Sequence, residues 1–305
     1  DGKNGGPPNN WKSFFGGSTW KYDEQTEQYY LHLFSPKQPD LNWENPKVRE
    51  EIYEMINWWL KKGVDGFRLD VINLISKDQR FPDGAESGQK GYEYFANGPR
   101  VHEFVQEMAE KTYNNYNAMT VGETPFVDKN EALKFVKEER QEFSMVIPFN
   151  HLEFDRKEGW NEISDWDLTE LKDLMSDWQY LLQENNGWTS LYFCNHDQPR
   201  IVSRYGDDGQ YRKESAKMLG TMLHTLRGTP FIYQGEEIGM TNISFESLDD
   251  FDDIETRGYI KDLQAEGEMT EEEILEIANY RTRDNARTPM HWNDSKNAGF
   301  SEAEP

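Results

Sequence analysis

The 305-residue sequence contains little cysteine and few cationic residues. Its single cysteine, Cys194, excludes an intrachain disulfide framework and a thiolate metal cluster. The 33 Lys and Arg residues stand against 57 Asp and Glu residues, which gives a formal net charge of −24. This charge argues against nucleic acid and against an anionic membrane as partners. It is compatible with a small neutral substrate, and it leaves the oligomeric state open.

Long apolar runs are also lacking. No stretch approaches the roughly 20 residues that span a membrane, and residues 1–20 contain no signal-peptide core. We therefore expect a cytoplasmic protein. Because the sequence does not begin with Met, we expect either a processed N-terminus or a piece of a longer chain.

Aromatic residues, by contrast, are abundant: 10 Trp, 15 Tyr and 17 Phe make up 14% of the chain. So many rings predict a folded core. Flat rings also suit a sugar-binding protein, because the apolar face of a pyranose stacks on them. For any single ring, core packing is the simpler explanation.

From residue 46 onward, helical and strand patterns alternate. Apolar residues at helical spacing predict a helix from Pro46 to just before Gly63 and further helices over 98–116, 130–139, 168–182 and 211–227. Short apolar runs between them predict strands near 64–71, 118–123, 143–149, 190–196 and 229–234. The alternation predicts an α/β fold with a parallel sheet, and the number of units favours a (β/α)8 TIM barrel.

Five strands are too few for this barrel, which closes with eight. We therefore expect the first three βα units to be missing from the sequence. Residues 1–46, in which only 28–34 reads as a strand, would be the end of a small insertion domain between the third strand and its helix. Residues 47–305 would form the catalytic barrel from that helix through strand 8 and its following helix.

Three of the predicted strands end in a carboxylate: Asp70, Glu123 and Asp197. The chemistry of such barrels takes place at the carboxyl ends of the strands. One acid at such a position could be a helix cap or a member of an ion pair. Three at equivalent positions indicate a functional site, because isolated burial of a carboxylate is costly. Glycosidic bond cleavage is a reaction that requires two carboxyl groups.

The sequence neighbours of the first two acids differ. Arg68 lies two residues before Asp70 on the same strand face, and its positive charge favours the ionised form that a nucleophile needs. No basic residue flanks Glu123. An apolar setting would raise the pKa of Glu123 and suit it to general acid catalysis, so we expect the two groups to titrate separately.

Several segments resemble the signature regions of the α-amylase superfamily, glycoside hydrolase family 13. The catalytic signatures are matched by Gly66-Phe67-Arg68-Leu69-Asp70-Val71-Ile72-Asn73, Val121-Gly122-Glu123 and Asn195-His196-Asp197-Gln198-Pro199-Arg200. The oligo-1,6-glucosidase, α-glucosidase and trehalose-6-phosphate hydrolase branch is indicated by Pro39-Asp40-Leu41-Asn42-Trp43 and Gly228-Thr229-Pro230-Phe231-Ile232-Tyr233-Gln234-Gly235-Glu236-Glu237. The order and approximate spacing of these segments match the family along essentially the whole chain.

The resemblance implies a role for each acid. Asp70 would be the nucleophile, Glu123 the acid/base, and Asp197 the carboxylate that binds sugar hydroxyls and stabilises the transition state. Arg68 and His196 would support the first glucose subsite.

Three further residues carry weaker implications. Arg200 matches an arginine that family members place near the same pocket. Phe149 would line the pocket or belong to the core. Val71 resembles the residue of α-1,6-preferring members, although a valine there also simply fits a strand.

The family's first signature region and its C-terminal β-domain have no match in this sequence. This agrees with the strand count and makes the activity of this portion alone a separate question. The chemistry requires no metal or other cofactor. The resemblance places a structural calcium in the missing N-terminal part. Asp249 to Asp253 could bind a cation, but an exposed acidic loop is the simpler interpretation.

The resemblance thus predicts a retaining glycoside hydrolase that cleaves α-glucosidic bonds at the non-reducing end of short oligosaccharides. Val71 favours α-1,6 bonds as the bonds that are cleaved. Trehalose-6-phosphate hydrolase is the alternative. It is favoured by residues 74–82, by Phe193-Cys194, and by cations that could hold a phosphate, namely Arg200, Arg204, Arg212 and Lys213. A non-catalytic family member acting as a transporter partner is disfavoured because all three carboxylates are present.

Overall fold

The computed structural model describes residues 5–85, 91–156 and 160–304. The chain divides into two compact units, which are described separately. Unit 1 comprises residues 1–151 and 169–190, and unit 2 comprises residues 152–168 and 191–305. In the described ranges, no helix is both long enough and apolar enough to cross a membrane.

Unit 1 contains most of the strands. These are β1 (Trp20–Asp23), β2 (Gln28–Leu31), β3 (Gly66–Leu69), β4 (Met119–Glu123) and β5 (Met145–Ile147). Its helices are α1 (Pro46–Lys61), α2 (Tyr92–Phe95), α3 (Val101–Lys111), α4 (Lys129–Val136) and α5 (Leu168–Glu184), the last of which starts one residue before the unit boundary.

Strand β6 (Ser190–Leu191) crosses the boundary between the units. The remaining elements belong to unit 2 and are α6 (Ile201–Tyr205), α7 (Arg212–Thr225), β7 (Thr229–Pro230), α8 (Ile254–Glu266) and α9 (Glu271–Arg281). Short 3₁₀ turns include Ile72–Leu74, Glu236–Ile238 and Arg283–Ala286.

The sheet of unit 1 is parallel, with strand order β3-β4-β5. A parallel bridge from Val146 to Thr189 continues it toward β6. Gly66 permits the close approach of β3 and β4, because a Cβ at this position would lie 2.1 Å from the carbonyl oxygen of Met119. A parallel sheet with intervening helices is what the alternating sequence pattern predicts.

Helix α1 shows how local sequence sets the helix bounds. The Asn45 side chain accepts a hydrogen bond from the Lys47 N–H, and Pro46 occupies the first turn, where its missing N–H costs nothing. Gly63, with φ of +93°, follows the helix end. The helix buries its apolar face in the main core of unit 1, whose members include Ile56, Phe104, Phe135, Val146 and Leu182.

Between residues 20 and 31 the chain forms a hairpin rather than the single strand expected over 28–34. β1 pairs with β2 in antiparallel register from Trp20↔Leu31 to Asp23↔Gln28. β1 escapes detection because its four residues are mostly polar and half-exposed, so its pairing, and not an apolar pattern, defines it. An aromatic cluster that includes Trp11 and Phe95 packs behind this region.

Unit 2 is mainly helical. Its core lies between α8 and α9 and includes Phe251, Leu263 and Ile274. A capping box between Thr270 and Glu273 starts α9. Within this unit, the Phe231 N–H donates to the Leu191 carbonyl at 2.7 Å and thereby joins the ends of β7 and β6.

All five strands predicted from the parallel-sheet pattern are present, each shorter than expected. The predicted helices are also present, and the helix expected over 98–116 is limited to residues 101–111. The division of the chain at residue 46 stays a prediction.

Candidate active site

The first two predicted acids lie at the carboxyl edge of the parallel sheet in unit 1. Arg68 of β3 is in register with Val121 of β4, and Leu69 with Gly122. Continued by one residue, this register sets Asp70 opposite Glu123. Neighbouring strands are about 4.8 Å apart, so the two acids follow one another across adjacent strand ends.

One guanidinium joins these acids. Arg68 donates from Nη1 to Asp70 Oδ1 and from Nη2 to Glu123 Oε1, the latter at 2.7 Å. The sequence had suggested that Arg68 serves Asp70 alone, because nothing basic adjoins Glu123 in the chain. The parallel register brings Arg68 to both carboxylates, since residues two apart on one strand share a face.

Val71 provides the second hydrogen-bond partner of the Glu123 carboxyl group. Its N–H donates to Glu123 Oε2 at 3.1 Å, so both oxygens of this carboxyl group have partners. The Val71 backbone is left-handed, with φ of 37° and ψ of 41°. That conformation is unusual for a β-branched residue and is typical of strained functional sites. Its side chain packs against the aromatic cluster of unit 1.

The two carboxyl groups have different surroundings. The Asp70 side chain is 73% exposed, whereas that of Glu123 is 6% exposed. Burial, together with a hydrogen bond to Asp70, raises the pKa of Glu123 to about 7, against the opposing influence of the Arg68 charge and the Val71 amide. An accessible carboxylate beside a buried acid that can hold a proton is the arrangement that glycosidases use for nucleophile and general acid.

Two asparagines tie together the loops that follow these acids. Asn73 donates from Nδ2 to the Pro125 carbonyl at 2.6 Å and to Asn97 Oδ1 at 3.0 Å. Asn97 donates in turn to the Phe126 carbonyl at 3.1 Å. The loops after β3 and β4 are therefore held side by side, which fixes the mouth of this site.

The third predicted acid, Asp197, lies in unit 2 among cations. Its Oδ1 accepts from Arg283 Nη1 at 3.1 Å and from Arg287 Nη2 at 2.8 Å. His196 Nε2 lies 3.0 Å from Asp197 Oδ2. Burial alone would raise the pKa of Asp197, but the hydrogen bond from His196 and the two arginine charges outweigh it and lower the pKa to about 2. Asp197 is thus held as a carboxylate.

Arg283 and Arg287 are functional candidates that sequence reasoning missed. Both also contact Asp253, whose side chain is fully buried, at 2.6 Å and 3.3 Å respectively. Their partners lie 30 to 90 residues away in the chain, and no local pattern signals such pairings. Asp253 caps α8 and is not part of an exposed acidic loop as expected, because the two arginines neutralise it inside unit 2.

Arg200 has a different environment from the one expected. Its side chain is 1% exposed, and its guanidinium donates to the carbonyls of Gln234, Asn285 and Ala286. These contacts fix the backbone of two loops and give no support for direct contact with a sugar. Phe149 lies two residues beyond β5 and is half-exposed, and its role stays a prediction.

The structure therefore brings together Arg68, Asp70, Val71 and Glu123 in unit 1, and His196 with Asp197 in unit 2. The meeting of all three acids around one sugar ring remains a prediction. Among the described residues, no group of three or more His, Cys, Asp or Glu side chains is arranged to hold a metal ion.

The model of the α-amylase catalytic domain family matches residues 1–305 of this sequence. The chain belongs to the α-amylase family. The resemblance inferred from the signature motifs is thereby confirmed, and the parallel strands with intervening helices are part of the (β/α)8 barrel of that family.

Curated relatives of this α-amylase family chain include two kinds of enzyme. The oligo-1,6-glucosidase of Parageobacillus thermoglucosidasius is 57% identical over 310 residues, covering 100% of this chain and 55% of that protein. The trehalose-6-phosphate hydrolase of Bacillus subtilis is 48% identical over 305 residues, covering 99% of this chain and 54% of that protein. The chain spans about half the length of the curated relatives it matches.

A solved structure shares the fold. The isomaltulose synthase of Klebsiella sp. LX3 superposes with a TM-score of 0.94 at 43% identity, over 100% of this chain and 55% of that one. The whole described fold of this chain is therefore found within a longer family member.

Proposed function

We propose that the protein to which this chain belongs is a retaining glycoside hydrolase acting on α-glucosidic bonds. Asp70 is the nucleophile, Glu123 the acid/base, and Asp197 the carboxylate that binds sugar hydroxyls. The observation that carries the proposal is the single guanidinium of Arg68 between an exposed Asp70 and a buried Glu123. This pairing provides an accessible carboxyl group beside a buried one whose pKa is raised to about 7.

The reaction proceeds in two displacements. Asp70 attacks the anomeric carbon while Glu123 gives its proton to the leaving oxygen, so the glycosidic C–O bond breaks as the ester bond to Asp70 forms. Glu123, now a carboxylate, then takes a proton from water, whose oxygen displaces Asp70. Glucose leaves with its α configuration retained, and Glu123 regains its proton.

Arg68 serves both steps. Its guanidinium donates to Asp70 and holds that side chain in place, and its charge favours the carboxylate form of Glu123 in the intermediate. The Val71 N–H supports the same ionised form of Glu123 by donating to Oε2. Arg283, Arg287 and His196 keep Asp197 ionised throughout.

The proposed substrates are short oligosaccharides cut at an α-1,6 bond at the non-reducing end. The 57% identity to an oligo-1,6-glucosidase supports this choice, as does Val71 directly after the nucleophile. We propose further that the whole protein supplies three βα units before this chain and a β-domain after it, with any structural calcium in the upstream part. The cytoplasmic location predicted from the sequence stays a prediction.

Trehalose-6-phosphate hydrolase is the second candidate, because relatives with that name are nearly as similar. The surroundings of the cations that could hold the phosphate argue against this candidate. Arg200 is buried against backbone carbonyls, and Arg204 pairs with Asp155 in the interior of unit 2. Arg212 donates to the carbonyls of Ile238 and Gly239. Of the four, only Lys213 has an exposed side chain.

The test is a substrate panel on the full-length protein. We expect glucose release from isomaltose to be faster than from maltose or trehalose 6-phosphate, and Asp70→Asn to abolish it. Preference for trehalose 6-phosphate would select the second candidate. An Asp70→Asn variant with unchanged activity would contradict the assignment of the nucleophile. A wild-type protein that releases glucose from none of these substrates would favour the non-catalytic transporter partner.

A further inference from the structure

An exposed aromatic patch lies beside the carboxylates of unit 1. It consists of Phe126, three residues after Glu123, with Phe14 and Tyr92. The Phe126 ring stacks on Phe14 with centroids 5.7 Å apart and planes at 17°, and lies 5.5 Å from the Tyr92 ring. Phe126 and Tyr92 are nonetheless 42% and 44% exposed. One face of the patch is packed, and the other is open.

The backbone at Phe126 indicates that the ring position matters. Its φ is +60°, in the left-handed region that disfavours a large side chain and favours glycine. Core packing does not explain such a residue, because the ring remains substantially exposed. Strained backbone that carries an exposed side chain is typical of ligand-binding loops.

The patch is fixed relative to both acids. Asn97 donates to the Phe126 carbonyl, and Asn73, three residues after Asp70, donates to the carbonyl of the preceding Pro125. Val71 packs against the same aromatic cluster that Phe14 joins. The loop that carries Phe126 is therefore tied to the loop that follows Asp70.

We propose that Phe126, supported by Phe14 and Tyr92, is the stacking surface for the sugar ring of the leaving group. This inference rests on the proposed glycosidase function. A pyranose presents an apolar C–H face that matches an exposed aromatic ring, and the three rings of the patch carry no charge. The ring of Phe126 thus contributes to specificity and takes no part in proton transfer.

The test uses the full-length protein and two substrates that differ in the leaving group. Isomaltose has a sugar as leaving group, whereas α-glucosyl fluoride has only fluoride. We expect Phe126→Ala to lower kcat/KM for isomaltose about 10-fold, equivalent to about 1.4 kcal/mol. With α-glucosyl fluoride the value should stay within about twofold of wild type, because no ring is there to stack.

Two further variants separate stacking from structure. Phe126→Gly removes the ring while suiting the left-handed backbone, so it should match Phe126→Ala towards isomaltose and unfold at an equal or higher temperature. Phe126→Tyr should retain activity near wild type. Tyr22→Ala is the matched control, because Tyr22 is equally exposed, lies on the β1–β2 hairpin and has Tyr29 as its ring partner.

Equal losses with both substrates, or no loss with isomaltose, would overturn the stacking role while leaving the glycosidase assignment intact. A wild-type protein that hydrolyses neither substrate would instead overturn the proposed function, and the stacking role with it.

Discussion

Glu123 in unit 1 and Asp197 in unit 2 are carboxyl groups with opposite electrostatic surroundings. Glu123 is buried, shares one arginine with Asp70, and has its pKa raised to about 7. Asp197 is contacted by two arginines and a histidine, which lower its pKa to about 2 despite burial. The comparison teaches that neighbouring groups decide which of these two acids keeps a proton at neutral pH, because Asp70 opposes the single arginine at Glu123 whereas Asp197 has two arginines and a histidine.

The largest expected effect concerns the acid/base in unit 1. Glu123→Gln removes the proton donor, so kcat/KM for isomaltose should fall about 10²–10⁴-fold, the usual contribution of general acid catalysis. The loss with α-glucosyl fluoride should be much smaller, because fluoride leaves with little protonation. Steady-state kinetics of the two substrates measure this, and equal losses with both would contradict the role of Glu123.

A stability change should follow from removing a cation in unit 2. Arg283→Met leaves the fully buried Asp253 with a weaker partner, and breaking a buried ion pair costs about 3–5 kcal/mol. We expect the urea unfolding midpoint to fall clearly below that of Arg287→Met, because Arg287 is more exposed and lies 3.3 Å from Asp253. Equal midpoints for the two variants would show that Arg283 has no special role.

The pH dependence of activity should report Glu123. Because the acid must be protonated, kcat/KM should fall as the pH rises through about 7. Arg68 stabilises the carboxylate of Glu123, so Arg68→Leu should raise the pKa and move this limb to higher pH while lowering activity. If the fall in kcat/KM of Arg68→Leu moved to lower pH instead, the stabilising effect of Arg68 on the Glu123 carboxylate would be contradicted.

Glu236 provides the control for that profile. Burial raises its pKa to about 7 as well. Since Glu236 has no role in the proposed reaction, Glu236→Gln should leave the position of the limb unchanged.

The smallest effect is expected at a surface ion pair of unit 2. Lys296 lies 2.6 Å from Glu304, with both side chains exposed. Lys296→Ala should change the free energy of unfolding by less than about 0.5 kcal/mol, because water screens such pairs. The urea midpoint checks this, and a loss approaching that of Arg283→Met would remove the contrast between buried and exposed cations.

The strands, and the places of Asp70 and Glu123 at the ends of β3 and β4, were predictable because their signals are local. Asp197, expected at a strand end, lies beyond β6, which ends at Leu191. The run Val64-Asp65-Gly66-Phe67-Arg68-Leu69-Asp70 combines an apolar strand with a terminal carboxylate, and the alternation of elements supplies the parallel sheet. Sequence reasoning identified the strands that have a clear apolar run, whereas β1, whose residues are mostly polar, was missed.

Other features depend on contacts between distant residues or on backbone conformation. The left-handed backbone of Val71 follows from its packing and its bond to Glu123, and valine itself predicts the opposite. The pairs of Asp197 with Arg283 and Arg287 span 86 and 90 residues. Arg200 appeared to be a pocket residue by its motif, but only the fold shows that its guanidinium is buried.

The central claim is that Asp70 attacks the sugar, and trapping of the covalent intermediate tests it most directly. The full-length protein would be incubated with 5-fluoro-α-glucosyl fluoride, whose glycosyl-enzyme hydrolyses slowly, then digested and analysed by mass spectrometry. The account predicts one added fluoroglucosyl group on Asp70 and none in Asp70→Asn. A label on another residue, or turnover of this substrate by Asp70→Asn, would contradict it.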